Sequence, residues 1–374
     1  MLPHKSFPFL VVLVVAVVGT TEQHPDRGIH RRQLLNRQPT PSITSRPQRR
    51  QTCPRRSTST VTIPSASPSP AGSSLNHKST ASSSHGAVGD QGHSNGLSAL
   101  FPVRGYSQSW TTAHGAPGAL PLSDGTLRPT RVLKALPHNY VKAPDGKPAM
   151  KAHYPQGSYT FGFYPQGGFS FYALGPKSLD LTEAKEVTFG YSVFFEKGFA
   201  FNEGGKLPGI YGGDNDDVAV GCSGGSRNTA CFSARLMWRT DGAGEFYTYL
   251  PPYDIPKFAA NRKQCNVPPL SDCNPTYGAS MGRGAFYFKA GQWTTISERV
   301  RLNDVGKANG ELELFVGGKS VINVKGLILR DGDAGRMRGI QMQTFFGGSS
   351  KSFASPKDQN TYFSDFSLAI TKFL

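Results

Sequence analysis

From about residue 150 to the C-terminus, apolar and polar side chains alternate in short runs. Residues 168–172, 186–195, 294–301, 310–316 and 364–370 all follow a period of two and are rich in aromatic and β-branched side chains. Gly, Pro, Asn and Asp punctuate them, and 303–310 and Gly317-Gly318 read as loops between strands. No long stretch carries the 3.6-residue period of an amphipathic helix. Many short strands with turn residues between them predict an all-β fold: an antiparallel β-sandwich or β-jelly roll with a concave cleft. The last strand runs close to Leu374, which predicts a C-terminus tied into a sheet.

The same alternation picks out a surface. In 231–238 the polar positions are Ser233 and Arg235; in 245–250 they are Tyr247 and Tyr249. Residues i and i+2 of a strand share a face. The intervening Thr240-Asp-Gly-Ala-Gly244 predicts a hairpin, and folding about Gly242 sets Arg235 opposite Tyr249. Lys206 heads the Pro/Gly-rich stretch 206–213, read as a turn beside that face. A lysine, a serine, an arginine and two tyrosines on one surface form a candidate polysaccharide site. Gln341 and Gln343 share a face of a later strand, either as amide donors to substrate or as ordinary cleft lining.

Composition adds appendages to this picture. The 374 residues carry a formal net charge of +16, enough chain for one large domain with extensions or two modest domains. Residues 7–19 are an apolar run after Lys5, shorter than the ~20 residues of a membrane span and ending in small residues. It reads as a secretory signal peptide over 1–19, which predicts a secreted, extracellular protein with no stable membrane anchor. Residues 20–50 form a basic, propeptide-like segment with the dibasic pairs Arg31-Arg32 and Arg49-Arg50. Residues 51–99 are dominated by Ser, Thr, Pro and Gly; they cannot bury enough apolar surface to offset ordering entropy and read as a linker. The globular domain is expected over 100–374.

Residues 1–99 hold 11 Lys/Arg and 3 Asp/Glu, so half of the net charge lies outside the expected domain. The domain is mildly basic, which suits a polyanionic substrate. With no basic helix, zinc-finger spacing or RNA-binding aromatic motif, a nucleic-acid partner is not expected. The domain is expected to be a monomer. Of five cysteines, Cys222 with Cys231 and Cys265 with Cys273 each enclose a short loop, so local disulfides are expected and Cys53 is left over. No metal and no cofactor are expected: C-x₂-C and H-x₃-H spacings do not occur, and Asp214-Asn-Asp-Asp217 lacks the spacing of a calcium loop and reads as a polar turn.

Hydrolysis of a glycosidic bond usually calls for two carboxylates. Glu311-Leu-Glu313 is the nearest approach, and it reads as an exposed strand face. The pattern G-x-S-x-G, at 221–225 and 278–282, is not read as a nucleophile elbow, which needs a strand before it and a helix after it. Lys, Arg, Tyr and Gln remain, and these side chains suit β-elimination from a uronic acid polymer. Cations and amide donors neutralise the sugar carboxylate, a base removes the C5 hydrogen and an acid protonates the departing oxygen on C4.

Residues from about 150 to 370 resemble polysaccharide lyase family 14. The likeness rests on Tyr154-Pro-Gln-Gly-Ser-Tyr159, Gly167-Gly-Phe-Ser-Phe-Tyr172, Lys206-Leu-Pro-Gly-Ile-Tyr-Gly212, Phe232-Ser-Ala-Arg-Leu-Met-Trp238, Tyr247-Thr-Tyr249, Gln343-Thr-Phe-Phe-Gly-Gly348 and Ser355-Pro-Lys-Asp-Gln-Asn-Thr-Tyr-Phe-Ser-Asp-Phe366. The resemblance implies a β-jelly roll, cleavage of alginate or glucuronan, and functional roles for Lys206, Ser233, Arg235, Tyr247 and Tyr249. The stretch 214–231, closed by two cysteines, looks more like fungal members than viral or molluscan ones. The rival class is a jelly-roll protein that binds carbohydrate without cleaving it.

Overall fold

The computed structural model describes residues 91–374. The expected signal peptide, the basic segment, Cys53 and the linker as far as residue 90 lie outside the described residues. Two eight-stranded sheets make up the fold, and every strand pairing in them is antiparallel. One sheet runs Lys319–Leu327, Gly310–Val316, Trp293–Arg301, Ala184–Phe195, Gln359–Phe373, Pro148–Tyr154, Asn139–Lys142, with Gln108–Thr111 also on Gln359–Phe373. The other runs Leu270–Cys273, Ala279–Arg283, Gly244–Tyr249, Cys231–Trp238, Gly205–Gly213, Arg336–Phe346, Phe169–Ala173, Pro129–Thr130. The five runs of alternating sequence all fall on strands. The C-terminus is tied in as expected: the last strand reaches Phe373, and the Leu374 N–H donates to Glu183 O.

The core lies between the sheets and is largely aromatic. Val187, Phe189, Tyr191, Val193 and Phe195, alternate residues of one strand, meet Leu207, Ile210, Leu236, Trp238 and Phe246 of the second sheet. Trp238 is fully buried, with ring centres 5.4 Å from Phe195 and 5.2 Å from Phe346. Its indole N–H donates to Phe201 O at 3.1 Å, so its polar edge is satisfied. A Cβ on Gly205 would stand 2.1 Å from the Trp238 ring, so the strand carrying Lys206 can pass there only as glycine.

Two features depart from the sequence expectations. Glu311 and Glu313 are not an exposed face: their side chains are 15% and 12% exposed and close around Arg299, at 2.7 and 2.9 Å, with Glu186 as a third partner at 2.8 Å. Arg299, with Arg301 at 3.4 Å from Glu311, offsets part of this charge structurally. A helix, Gln91–Leu100, also straddles the expected boundary at residue 100. Its end is packed: Ala99 and Leu100 are buried, Ser297 Oγ donates to Leu100 O, and a Cβ on Gly190 would lie 2.6 Å from that oxygen. Burying one Leu side chain contributes about 1.5–3 kcal/mol. A protein starting at residue 102 is therefore expected to melt several degrees below one starting at residue 90, as differential scanning calorimetry would show.

Candidate active site

The second sheet places the expected residues on adjacent strands. Lys206 lies within the strand Gly205–Gly213 rather than at the head of a turn, and pairs with Met237. The hairpin forms as expected, but its register differs by two residues: Arg235 is opposite Tyr247 and Ser233 opposite Tyr249. The reversal centres on Asp241, not Gly242. Arg239 N–H closes the loop onto Ala243 O, and both Asp241 (φ 58°) and Gly242 (φ 78°) take left-handed backbone. Because the shift is an even number of residues, every side chain keeps its face.

A bulge aims Lys206. Leu207 and Ile210 both point into the core, so the alternation breaks between them, at the register shift around Pro208. Proline has no N–H to give the ladder. Two side chains of the opposite sheet serve the irregular backbone: Tyr191 Oη donates to Pro208 O at 3.1 Å, and Glu298 Oε1 accepts from Ile210 N–H at 2.7 Å. Burial pushes the Glu298 carboxyl well above the usual carboxylate range.

These strands floor a cleft of about 690 Å³, lined by Lys206, Arg235, Tyr247, Tyr249 and Gln343 and rimmed by the aromatic rings of Phe161, Phe163, Tyr277, Phe345 and Phe353. Lys206 is 8% exposed. Its Nζ sits 3.5 Å from the centre of the Tyr247 ring and donates to Met237 Sδ at 2.6 Å, and it makes no salt bridge among the described residues. Burial, then the charges of Arg239 and Arg235, hold its pKa well below the ordinary 10.5. Arg235 is buried; its Nη1 donates to Gln343 Oε1 at 2.8 Å, and its Nε has no partner among the described residues. Gln343 is fixed in turn by Ser170 Oγ and by Gln341 Nε2. Burial, then Tyr249 beside it, raise the Tyr247 phenol above its ordinary 10.0. Tyr249 Oη accepts from Gly225 N–H at 2.9 Å.

Two expected site residues stand behind the cleft. Ser233 donates to Cys222 O at 2.7 Å and so anchors the loop between the cysteines. Gln341 is 1% exposed and bonds Gln343 and Tyr172. Both disulfides form as expected, Cys222–Cys231 and Cys265–Cys273. Arg227, inside the first loop, donates to Asn274 O and Tyr277 O in the turn that follows Cys273, at the Tyr249 end of the cleft. In 214–217, Asn215 caps a short helix, Asp216 pairs with Arg338 and Asp217 with Arg131. Among the described residues no group of three or more His, Cys, Asp or Glu is placed to hold a metal.

Sequence reasoning missed Arg239, Glu245, Ser280 and Arg283, which also face the cleft or support it. Arg239 and Glu245 extend the same alternation, 235-237-239 and 245-247-249, so their face was legible. Arg283 was not. Met281 points into the core, and strict alternation would send residue 283 there too; Gly282, at φ 65°, resets the phase.

The buried lysine also has a stability consequence. Between its depressed folded pKa and 10.5, the unfolded chain holds a proton that the folded site disfavours. That cost grows as pH falls and vanishes above 10.5. Lys206→Met is therefore expected to raise stability by about 0.5–2 kcal/mol at neutral pH, with the gain shrinking as pH approaches 10.5. Thermal melts of both proteins across that range check this.

The polysaccharide lyase 14 family matches residues 142–366. Among solved structures, the chain is 32% identical to the marine PL-14 alginate lyase from Aplysia kurodai, covering 71% of this chain and 99% of that one with a TM-score of 0.59. It is 26% identical to an alginate lyase from Chlorella virus, covering 66% and 93% of the two chains, with a TM-score of 0.52. A search of curated proteins gave no match. The family match takes in more than half of the chain and every strand that floors the cleft, and the chain belongs to polysaccharide lyase family 14.

Proposed function

We propose that the protein is a secreted lyase that cleaves a 1,4-linked uronic acid polymer by β-elimination, with Lys206 as base and Tyr247 as acid. The observation that carries this reading is the state of Lys206: buried, without a carboxylate partner among the described residues, and flanked by two arginine charges that favour its neutral amine. Arg235, oriented by Gln343, neutralises the uronate carboxylate beside C5. Lys206 Nζ takes the C5 proton. The C5–H electron pair forms the C4=C5 bond as the C4–O4 bond breaks. Tyr247, whose raised pKa keeps its phenol protonated, gives its proton to O4. The products are a new reducing end and a 4,5-unsaturated uronate. Ser233 and Gln341 position the loop and the glutamine behind the reacting groups; Tyr249 steadies Tyr247.

Alginate is the first substrate to test, because both relatives named above are alginate lyases; glucuronan is the second. Residues 1–19 act as a signal peptide, 20–50 as a propeptide-like basic segment and the Ser/Thr/Pro-rich stretch from 51 as a linker to the domain. Two disulfides fit an oxidising compartment. Among the described residues no helix is long and apolar enough to cross a membrane. Mass spectrometry of the oligosaccharides tests the reaction type: elimination yields ends one water lighter than hydrolysis, and a binding protein yields none.

A further inference from the structure

Glu245 is fully buried, two residues before Tyr247 on the same face of the strand. Both of its oxygens are occupied. Oε1 accepts from Arg239 Nε at 2.7 Å, and Oε2 accepts from Arg283 Nε at 2.7 Å and from Ser280 Oγ. Arg283 Nη2 donates to Ser280 Oγ at 2.9 Å. The two guanidiniums use their inner nitrogens on Glu245. Both Nη groups of Arg239 and Nη1 of Arg283 make no hydrogen bond among the described residues. Both side chains line the cleft, 16% and 26% exposed.

The cluster holds two arginines against one buried carboxylate and leaves a surplus positive charge, with the unbonded N–H groups on side chains that line the cleft. Arg239 lies 5.7 Å from the centre of the Tyr247 ring, against which Lys206 also rests. Arg235 and Arg239 are four residues apart on an extended strand, roughly 13 Å at about 3.3 Å per residue. Gln343 tethers the first guanidinium and Glu245 the second, so the two are held as separate groups.

We propose that Glu245 fixes Arg239 and Arg283 as a second carboxylate subsite, which takes the uronate next to the one that reacts. This rests on the uronan-lyase reading above and deepens it: the enzyme selects runs of contiguous uronates over chains in which neutral sugars intervene. Planar guanidinium forks bind carboxylates with two parallel hydrogen bonds, and their preorganisation by Glu245 limits the ordering cost of binding.

The test compares Arg283→Gln with wild type on two substrates: the fully charged polymer, and the same polymer with a fraction of its carboxylates reduced to alcohols. On the charged polymer the variant is expected to raise KM about tenfold or more, the loss of one charge-assisted hydrogen bond, with kcat within about threefold. On the reduced polymer that penalty is expected to shrink, because the partner carboxylate is often missing. Arg283→Lys, which keeps the charge without the fork, is expected to fall between them, and it carries the comparison if the glutamine variant does not fold. An unchanged KM, or an equal penalty on both polymers, overturns the subsite while leaving the lyase intact. Absence of unsaturated product from wild type on every uronan overturns the reading on which it rests.

Discussion

Lys206→Ala is expected to lower the rate of unsaturated-product formation by about 10²–10⁴-fold, the usual cost of losing a positioned acid–base group. The protein should stay folded, since removing a buried amine relieves a desolvation cost, and an unchanged circular dichroism spectrum would confirm it. Lys206→Arg separates two roles. It restores a positive charge beside the substrate carboxylate but holds its proton at any accessible pH. If Lys206 is the base, the arginine variant stays as inactive as alanine. Recovery of a tenth or more of wild-type kcat would reduce Lys206 to charge neutralisation. The pH profile has a fixed sign. Activity rises with pH as Lys206 deprotonates, and the depressed pKa puts that rise below the ordinary 10.5.

Tyr247→Phe is the second large loss expected. The substitution removes one oxygen and keeps the ring on which Lys206 rests, at 3.5 Å, so packing is preserved and the acid alone is deleted. A fall in kcat of about 10²–10⁴-fold with little change in KM is expected. Tyr249→Phe should fall less far, because its oxygen already accepts from Gly225 N–H and supports Tyr247. Initial-rate kinetics on both variants decide the order. A Tyr249→Phe defect deeper than that of Tyr247→Phe would exchange the two roles.

Much of this site was legible because strand geometry is strictly periodic. Ser233 with Arg235 and Tyr247 with Tyr249 share a face whatever the register, so a hairpin placed two residues off still assembled the same surface. What could not be read were breaks in the period. The bulge at Pro208 made Lys206-Leu-Pro-Gly look like a turn when it is a bent strand, and its stability depends on Tyr191 and Glu298 from a different sheet. Gly282 hid Arg283 in the same way. Burial was also illegible: Glu311 and Glu313 alternate like a solvent face, yet Arg299 closes on both. The Gln91–Leu100 helix lies in Ser/Gly/Asn-rich sequence, and its burial comes from the sheet it covers.

A jelly roll that only holds carbohydrate would need the aromatic rim and the arginines, but not a buried lysine of lowered pKa resting on a tyrosine. The two classes part on a single assay. Purified protein is mixed with alginate and, separately, with glucuronan, and the ultraviolet absorbance of the C4=C5 double bond is followed over time. Rising absorbance with at least one polymer, lost in Lys206→Ala, is the expected result. Binding to either polymer with no rise in absorbance, from a folded wild-type protein, would contradict the account.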